Sequence, residues 1–189
     1  LSQEDGLTGL ANRRHFNETL AREWAIAERE QQTIALIFID VDHFKPYNDT
    51  YGHLEGDRVL SLVGKTLKKM AKRPADLAAR YGGEEFVLLL PNTDVNGANE
   101  LAQEVLQAID SLAIPHKSSK AAKHVSVSIG LSALIPNTQN SINTLIDNAD
   151  EGVYAAKKAG RHRIRMYPTP QEVTQRREAA LNALNVKKT

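Results

Sequence analysis

The sequence predicts an α/β (α+β) domain whose core runs strand, helix, strand, strand, helix, strand, and three observations predict it. Thr33 to Asp42 (TIALIFIDVD) is a nearly continuous β-branched and aromatic run, the pattern of a strand buried on both faces. Gly82-Gly83-Glu84-Glu85 separates two short strand-like runs, and a Gly-Gly pair there signals a hairpin, because tight hairpin turns need positive φ. His124 to Leu134 (HVSVSIGLSAL) alternates as a half-buried strand does.

Before the core, Asn12 to Gln31 reads as a helix: Asn12 can cap it, and Phe16, Leu20, Trp24 and Ala27 fall at helical spacing. After the first strand, His43 to Leu54 carries Pro46, Asn48, Asp49 and Gly52 and reads as irregular. Glu55 to Lys72 is helical, with Val59, Leu62, Val63, Leu67 and Met70 on one face, and Pro74 stops it. Leu77 to Tyr81 and Phe86 to Leu90 are the hairpin strands. Val95 to Leu112 is an amphipathic helix ended by Pro115, and Ser141 to Ala159 is another, closed by Gly160 in the C-cap place. Arg163 to Tyr167 reads as a short strand, and Gln171 to Val186 as a weak helix beyond the compact unit. The core order is the split βαβ, ferredoxin-like arrangement. A right-handed crossover makes its first two strands parallel, with the third antiparallel between them. Asp40 and Asp42 then end the first strand beside Glu84 and Glu85.

The chain has 189 residues, enough for one large domain. Residues 1–167 are read as that domain and 168–189 as a C-terminal extension, helical or partly disordered. Lys+Arg number 24 and Asp+Glu 23, a balance that argues against a nucleic-acid binder, which carries a basic excess. The absence of cysteine excludes disulfides, thiolate–zinc sites and thiol nucleophiles. The longest apolar run, Ile34 to Ile39, falls far short of the ~20 residues that span a bilayer, so no membrane contact is expected of this segment. It is expected to be cytoplasmic, with any sensor or membrane anchor of a longer protein lying upstream of Leu1.

Four carboxylates at one sheet edge need a cation, unless some of them protonate or simply face solvent from a turn and a strand end. Two unit charges about 4 Å apart repel by about 4 kcal/mol at an effective dielectric of about 20. Oxygen ligands without cysteine favour Mg²⁺ or Mn²⁺ over zinc. Asp40 is the most telling of them, since it interrupts the most apolar strand. His43-Phe44-Lys45 follows, where main-chain N–H groups and a lysine can hold phosphate. Lys157 and Arg161 form a second basic pair, although cations at a helix C-terminus are favourable in any case. Asn48 and Asp57 can read a guanine edge, the Asp accepting from ring N–H and amino donors. By themselves they also fit a turn former and a helix N-terminal acid, and His53 a turn residue.

These motifs resemble a known family. Gly82-Gly83-Glu84-Glu85-Phe86 is similar to the signature of GGDEF-type diguanylate cyclases in its GGEEF form. DGLTGLANRR, FIDVDHFKPYNDTYGHLEGD and AKKAGRHR extend the resemblance across Asp5 to Arg163, and four ordered blocks make it specific. It implies a palm-type fold, a mainly antiparallel sheet flanked by helices, like adenylyl cyclases and polymerases. It implies condensation of two GTP into cyclic di-GMP with release of two pyrophosphates, between two copies of the domain in a homodimer. Asp40, the carbonyl of Val41, Glu84 and Glu85 would hold two Mg²⁺ (or Mn²⁺) per site, and Glu84 is also the candidate base. Lys45 would stabilise phosphate charge, helped by the Phe44 main chain, Lys157 and Arg161. Asn48 and Asp57 would recognise guanine, with His53 in the same pocket and Leu7 and Leu60 along its apolar wall. Arg73-Pro74-Ala75-Asp76 resembles the RxxD site, at which product cyclic di-GMP inhibits. Two departures are visible: His162 stands where the family often has Asn, and Gly152 sits within a helix where Ala is usual, at a cost of about 1 kcal/mol. Two other readings compete with the active cyclase. One is a silent domain that only receives cyclic di-GMP or GTP; the other is a palm-fold cyclase making a cyclic mononucleotide.

Overall fold

The structure, a computed structural model, describes residues 1–168 and 170–186. In chain order its elements are α1 (Arg13–Glu30), β1 (Ile34–Val41), α2 (Phe44–Tyr51), α3 (His53–Met70), β2 (Leu77–Gly82), β3 (Glu85–Pro91), α4 (Val95–Ser111), β4 (Val127–Leu134), α5 (Ile142–Lys158), β5 (Ile164–Met166) and α6 (Pro170–Val186). The sheet order is β2-β3-β1-β4-β5. β3 lies antiparallel between β1 and β2, β4 is antiparallel to β1, and β5 is parallel to β4. This is the ferredoxin-like core that the strand order predicts, with one short strand added at the edge.

All eight residues of β1 are buried, because helices cover both faces of the sheet. Ala35, Ile37, Ile39 and Val41 pack with Val59, Val63 and Leu67 of α3 and Ala102, Val105 and Ile109 of α4. The alternate residues Ile34, Leu36 and Phe38 pack with Phe16 and Leu20 of α1 and Leu145, Ala149 and Val153 of α5. Strand alternation therefore aims Asp40 at the face covered by α1 and α5. α1 starts where Asn12 accepts a hydrogen bond from His15 N–H (3.0 Å) and ends at Gln31 in the left-handed conformation. α5 carries a full capping box, Ser141 with Thr144.

Two local expectations change. The segment expected to be irregular, His43 to Leu54, contains the helix α2. Pro46 is tolerated because it occupies the first turn, where N–H groups have no intrahelical partner. Gly52, at φ +92°, then breaks the path, so α3 starts at His53 and not at Glu55. The second change concerns Gly152. A Cβ there would lie 2.7 Å from the Arg165 carbonyl and 2.8 Å from Gly130 Cα. A Cβ on Gly130 would in turn meet the Ala149 carbonyl at 2.0 Å. The two glycines let α5 press its backbone onto β4, so Gly152 is required by packing.

The C-terminal helix α6 falls where a weak helix is expected; Thr169 and residues 187–189 of the expected extension lie outside the described residues. Among the described residues, no helix is long and apolar enough to cross a membrane.

Candidate active site

Asp40, near the end of β1, stands opposite Glu85 on β3 and Ser128 on β4. Its side chain is buried, and Lys157 Nζ from α5 lies 3.1 Å from Oδ2. Burial pushes the Asp40 carboxyl up to about 6; Lys157 pulls it down, while Glu84 and Glu85 add to the rise. Glu85 is also raised, by burial first and then by Asp150 and Glu84, against Lys157 and Arg13. These carboxylates share an unfavourable field that added positive charge would relieve.

The hairpin holds the acids in place. Gly83 takes φ +44° in a two-residue turn between β2 and β3, a conformation that glycine adopts without strain. Val41 N–H donates to the Glu84 carbonyl (3.2 Å), joining the turn to the end of β1. Arg80 donates from Nε (3.0 Å) and Nη2 (2.8 Å) to the Gly83 carbonyl, while its Nη1 meets Asp5 Oδ1 at 3.2 Å. Asp5 also accepts from the Thr8 amide (2.9 Å) and hydroxyl (2.7 Å).

A cleft of about 210 Å³ opens at this sheet end. Asp40, Val41, Phe44, Lys45, Glu84, Lys157 and Arg161, all expected at one site, line it together with His43 and Pro46. Its acidic wall therefore faces a basic one. Lys45 is 88% exposed and pairs with Asp49 at 3.2 Å, so its ammonium can swing toward a bound anion at little cost. His43 is held below its ordinary value by burial first and then by Arg161.

Asp42 does not join the cluster, contrary to expectation. It is 1% exposed, and its carboxylate accepts from Ser126 Oγ (2.7 Å), Ser128 Oγ (2.6 Å) and His162 N–H (3.1 Å). Past the end of β1 the side chain turns toward β4, where three donors satisfy it. Asp42 thus anchors the strand end to β4 and to the turn after α5.

The residues expected around guanine lie on α2 and α3. Asn48 packs against Gly56 so closely that a Cβ there would sit 1.7 Å from Asn48 Oδ1. That oxygen is buried and has no hydrogen-bond partner among the described residues. His53 and Asp57 are exposed on the first turns of α3. Leu60 is a core residue, and Leu7 packs on the same cluster while its carbonyl accepts from Ser61 Oγ (3.1 Å). Of this group Asn48, His53 and Asp57 carry polar side-chain atoms, while Leu7 and Leu60 are apolar.

Arg73 and Asp76 pair with each other, Nη2 to Oδ1 at 2.8 Å. Arg73 further donates to the carbonyls of Pro91 (2.8 Å) and Asn92 (3.4 Å) and to the Thr93 hydroxyl. With Thr93, Asp94 and Gly97 the pair lines a separate cleft of about 400 Å³.

One group escaped the sequence reading. His124 Nε2 lies 2.9 Å and His162 Nε2 2.8 Å from Asp110 Oδ1, and the two rings meet edge-on. Among the described residues this is the one set of three His or acid side chains whose ligand atoms lie within 4.8 Å of one another. Asp40, Glu84 and Glu85 are not drawn in so tightly. The only signal in the sequence was His162 itself, standing where Asn is usual.

Residues 2–163 match the family model described as "Diguanylate cyclase, GGDEF domain". The chain belongs to the GGDEF family. It is 38% identical over 160 residues to the diguanylate cyclase DgcP of Pseudomonas aeruginosa, covering 85% of this chain and 23% of that protein. The GGDEF domain of DgcB from Caulobacter crescentus, solved in complex with c-di-GMP, superposes with TM-score 0.78 at 34% identity, covering 87% of this chain and 95% of that one. The active GGEEF domain of a diguanylate cyclase from Vibrio cholerae superposes with TM-score 0.73 at 32% identity, covering 85% and 99%. This GGDEF chain spans 23% and 44% of the two curated relatives it matches first.

Proposed function

We propose that this chain is an active diguanylate cyclase: two GTP are joined into cyclic di-GMP and two pyrophosphates are released. The observation that carries the proposal is the cleft in which buried Asp40 and half-buried Glu84 face Lys45, Lys157 and Arg161. Such a site suits a triphosphate with its divalent cations. The donor chemistry fits Mg²⁺ or Mn²⁺, because Asp40, Glu84, Glu85 and the Val41 carbonyl offer oxygen only, and the raised Asp40 carboxyl is what a cation would restore. When bound, two such ions would neutralise phosphate charge and acidify the attacking hydroxyl.

The protein groups have separate tasks. Lys157 and Arg161 grip the triphosphate, with the Phe44 main chain and the mobile Lys45 ammonium beside it. Asn48 Oδ1 accepts from a guanine N–H, which would give that buried oxygen its missing partner, and Asp57 accepts from the ring N–H and amino groups. His53, Leu7 and Leu60 complete the base pocket. In the reaction a 3′-oxygen forms a bond to the α-phosphorus of the other GTP, and the bond to pyrophosphate breaks. The hydroxyl proton leaves to Glu84 or to water. Each chain holds one GTP, a homodimer supplies the second, and both bonds of the ring close across it. Arg73 and Asp76 form the product-inhibition site, in which cyclic di-GMP replaces their mutual ion pair.

Pyrophosphate release from GTP with Mg²⁺ tests the reading. The wild-type chain is expected to release it, and Glu84→Gln to fall by about a hundredfold or more. GTP binding without release by the wild type would leave a nucleotide receptor and reject the cyclase.

A further inference from the structure

The geometry points to a second metal site, distinct from the GTP cleft: Asp110, His124 and His162 form a three-ligand site for a zinc-class transition ion. Asp110 lies in the last turn of α4, His124 just before β4, and His162 in the turn after α5. Three separate elements thus bring one carboxylate oxygen and two imidazole nitrogens to one point, with Nε2–Oδ1 distances of 2.9 and 2.8 Å. Two imidazoles and a carboxylate select Zn²⁺, Co²⁺ or Ni²⁺ over Mg²⁺, which prefers oxygen throughout. Tetrahedral bonds of about 2.05 Å place ligand atoms about 3.3 Å apart, so the site needs to open by only about half an ångström. Its side chains remain about one-third exposed, which leaves room for that movement and for a water as fourth ligand.

The turn that supplies His162 is also informative. Arg161 and His162 both adopt positive φ, +65° and +50°, after Gly160 at +118°. Arg161 lines the GTP cleft, and the His162 amide donates to Asp42, two residues from Asp40. An ion held by His162 would clamp this turn to α4 and β4 and so fix the position of Arg161. The two metal sites are therefore different in chemistry and joined through one short turn. Binding of the ion at this site does not require turnover.

Equilibrium dialysis of the untagged full chain against Zn²⁺ in excess Mg²⁺ tests it, with Co²⁺ as the spectroscopic probe. The expected result is one equivalent of Zn²⁺ retained, a visible Co²⁺ absorption of tetrahedral intensity, and a thermal midpoint raised by Zn²⁺. His124→Ala and His162→Asn should each weaken retention by at least about tenfold and abolish the absorption and the midpoint shift. Failure of the wild-type chain to retain Zn²⁺ would overturn the proposal, leaving a hydrogen-bonded Asp–His cluster. So would undiminished retention by the double variant, whose own melting curve shows whether it is folded.

Discussion

Asp40 carries a conflict that its neighbours leave unrelieved. Its carboxylate is buried in an otherwise apolar strand, and Lys157 only partly offsets that burial and the repulsion of Glu84 and Glu85. In the proposed cyclase this arrangement serves ligand binding at some expense of stability. Asp40→Asn should therefore lower GTP turnover by about a hundredfold or more while leaving the thermal midpoint unchanged or higher, as paired assays and melts would show. Asp5 behaves in the opposite sense. Burial pushes its carboxyl up, yet the Thr8 hydroxyl and amide and Arg80 prevail and hold it below the ordinary 3.8. A depressed carboxyl contributes stability that is present above 3.8 and lost as pH falls through its folded value. Urea denaturation of Asp5→Asn should show a loss of about 1–3 kcal/mol at pH 7 and a shallower decline below about pH 4 than wild type. Because Arg80 links Asp5 to the Gly83 carbonyl, the same variant should also weaken turnover.

At the scale of elements, α5 matters through how closely it lies on β4. Helix propensity alone favours Gly152→Ala by about 1 kcal/mol, yet its Cβ would meet the Arg165 carbonyl and Gly130 Cα. The variant should lose about 1–3 kcal/mol in urea denaturation, because overpacking against backbone outweighs propensity. It should also shift Lys157 and Arg161 and so raise the KM for GTP. What was legible in the sequence follows from the range of the interactions. β1 and the β2–β3 hairpin were readable because local composition dictates them: a run of buried β-branched residues, and a Gly-Gly turn. α2 was not, because Pro46, Asn48 and Gly52 are turn formers wherever packing does not override them. The fate of Asp42 was hidden as well, since Ser126 and Ser128 lie 84 and 86 positions away. Asp110, His124 and His162 follow no spacing rule and meet only once the sheet order is set. The acids of the cleft were legible because strand order alone places β1 beside the hairpin.

For the whole molecule, the near balance of 24 basic and 23 acidic residues conceals a divided site. The carboxylates of the cleft face its lysines and arginine, and they cancel in the sum. In the proposed reaction each chain holds one GTP and the active unit is two chains, so specific activity should rise with protein concentration; a constant value down to high dilution would require a dimer already formed. In the proposed product site Arg73 grips cyclic di-GMP away from the cleft at the sheet end, so Arg73→Ala should raise the cyclic di-GMP concentration for half inhibition by about tenfold or more. The most direct test is mass analysis of the products after the wild-type chain, at high concentration, meets GTP and Mg²⁺. Cyclic di-GMP with two pyrophosphates per molecule is the predicted result. Unchanged GTP, or a cyclic mononucleotide as the sole product, would contradict the account.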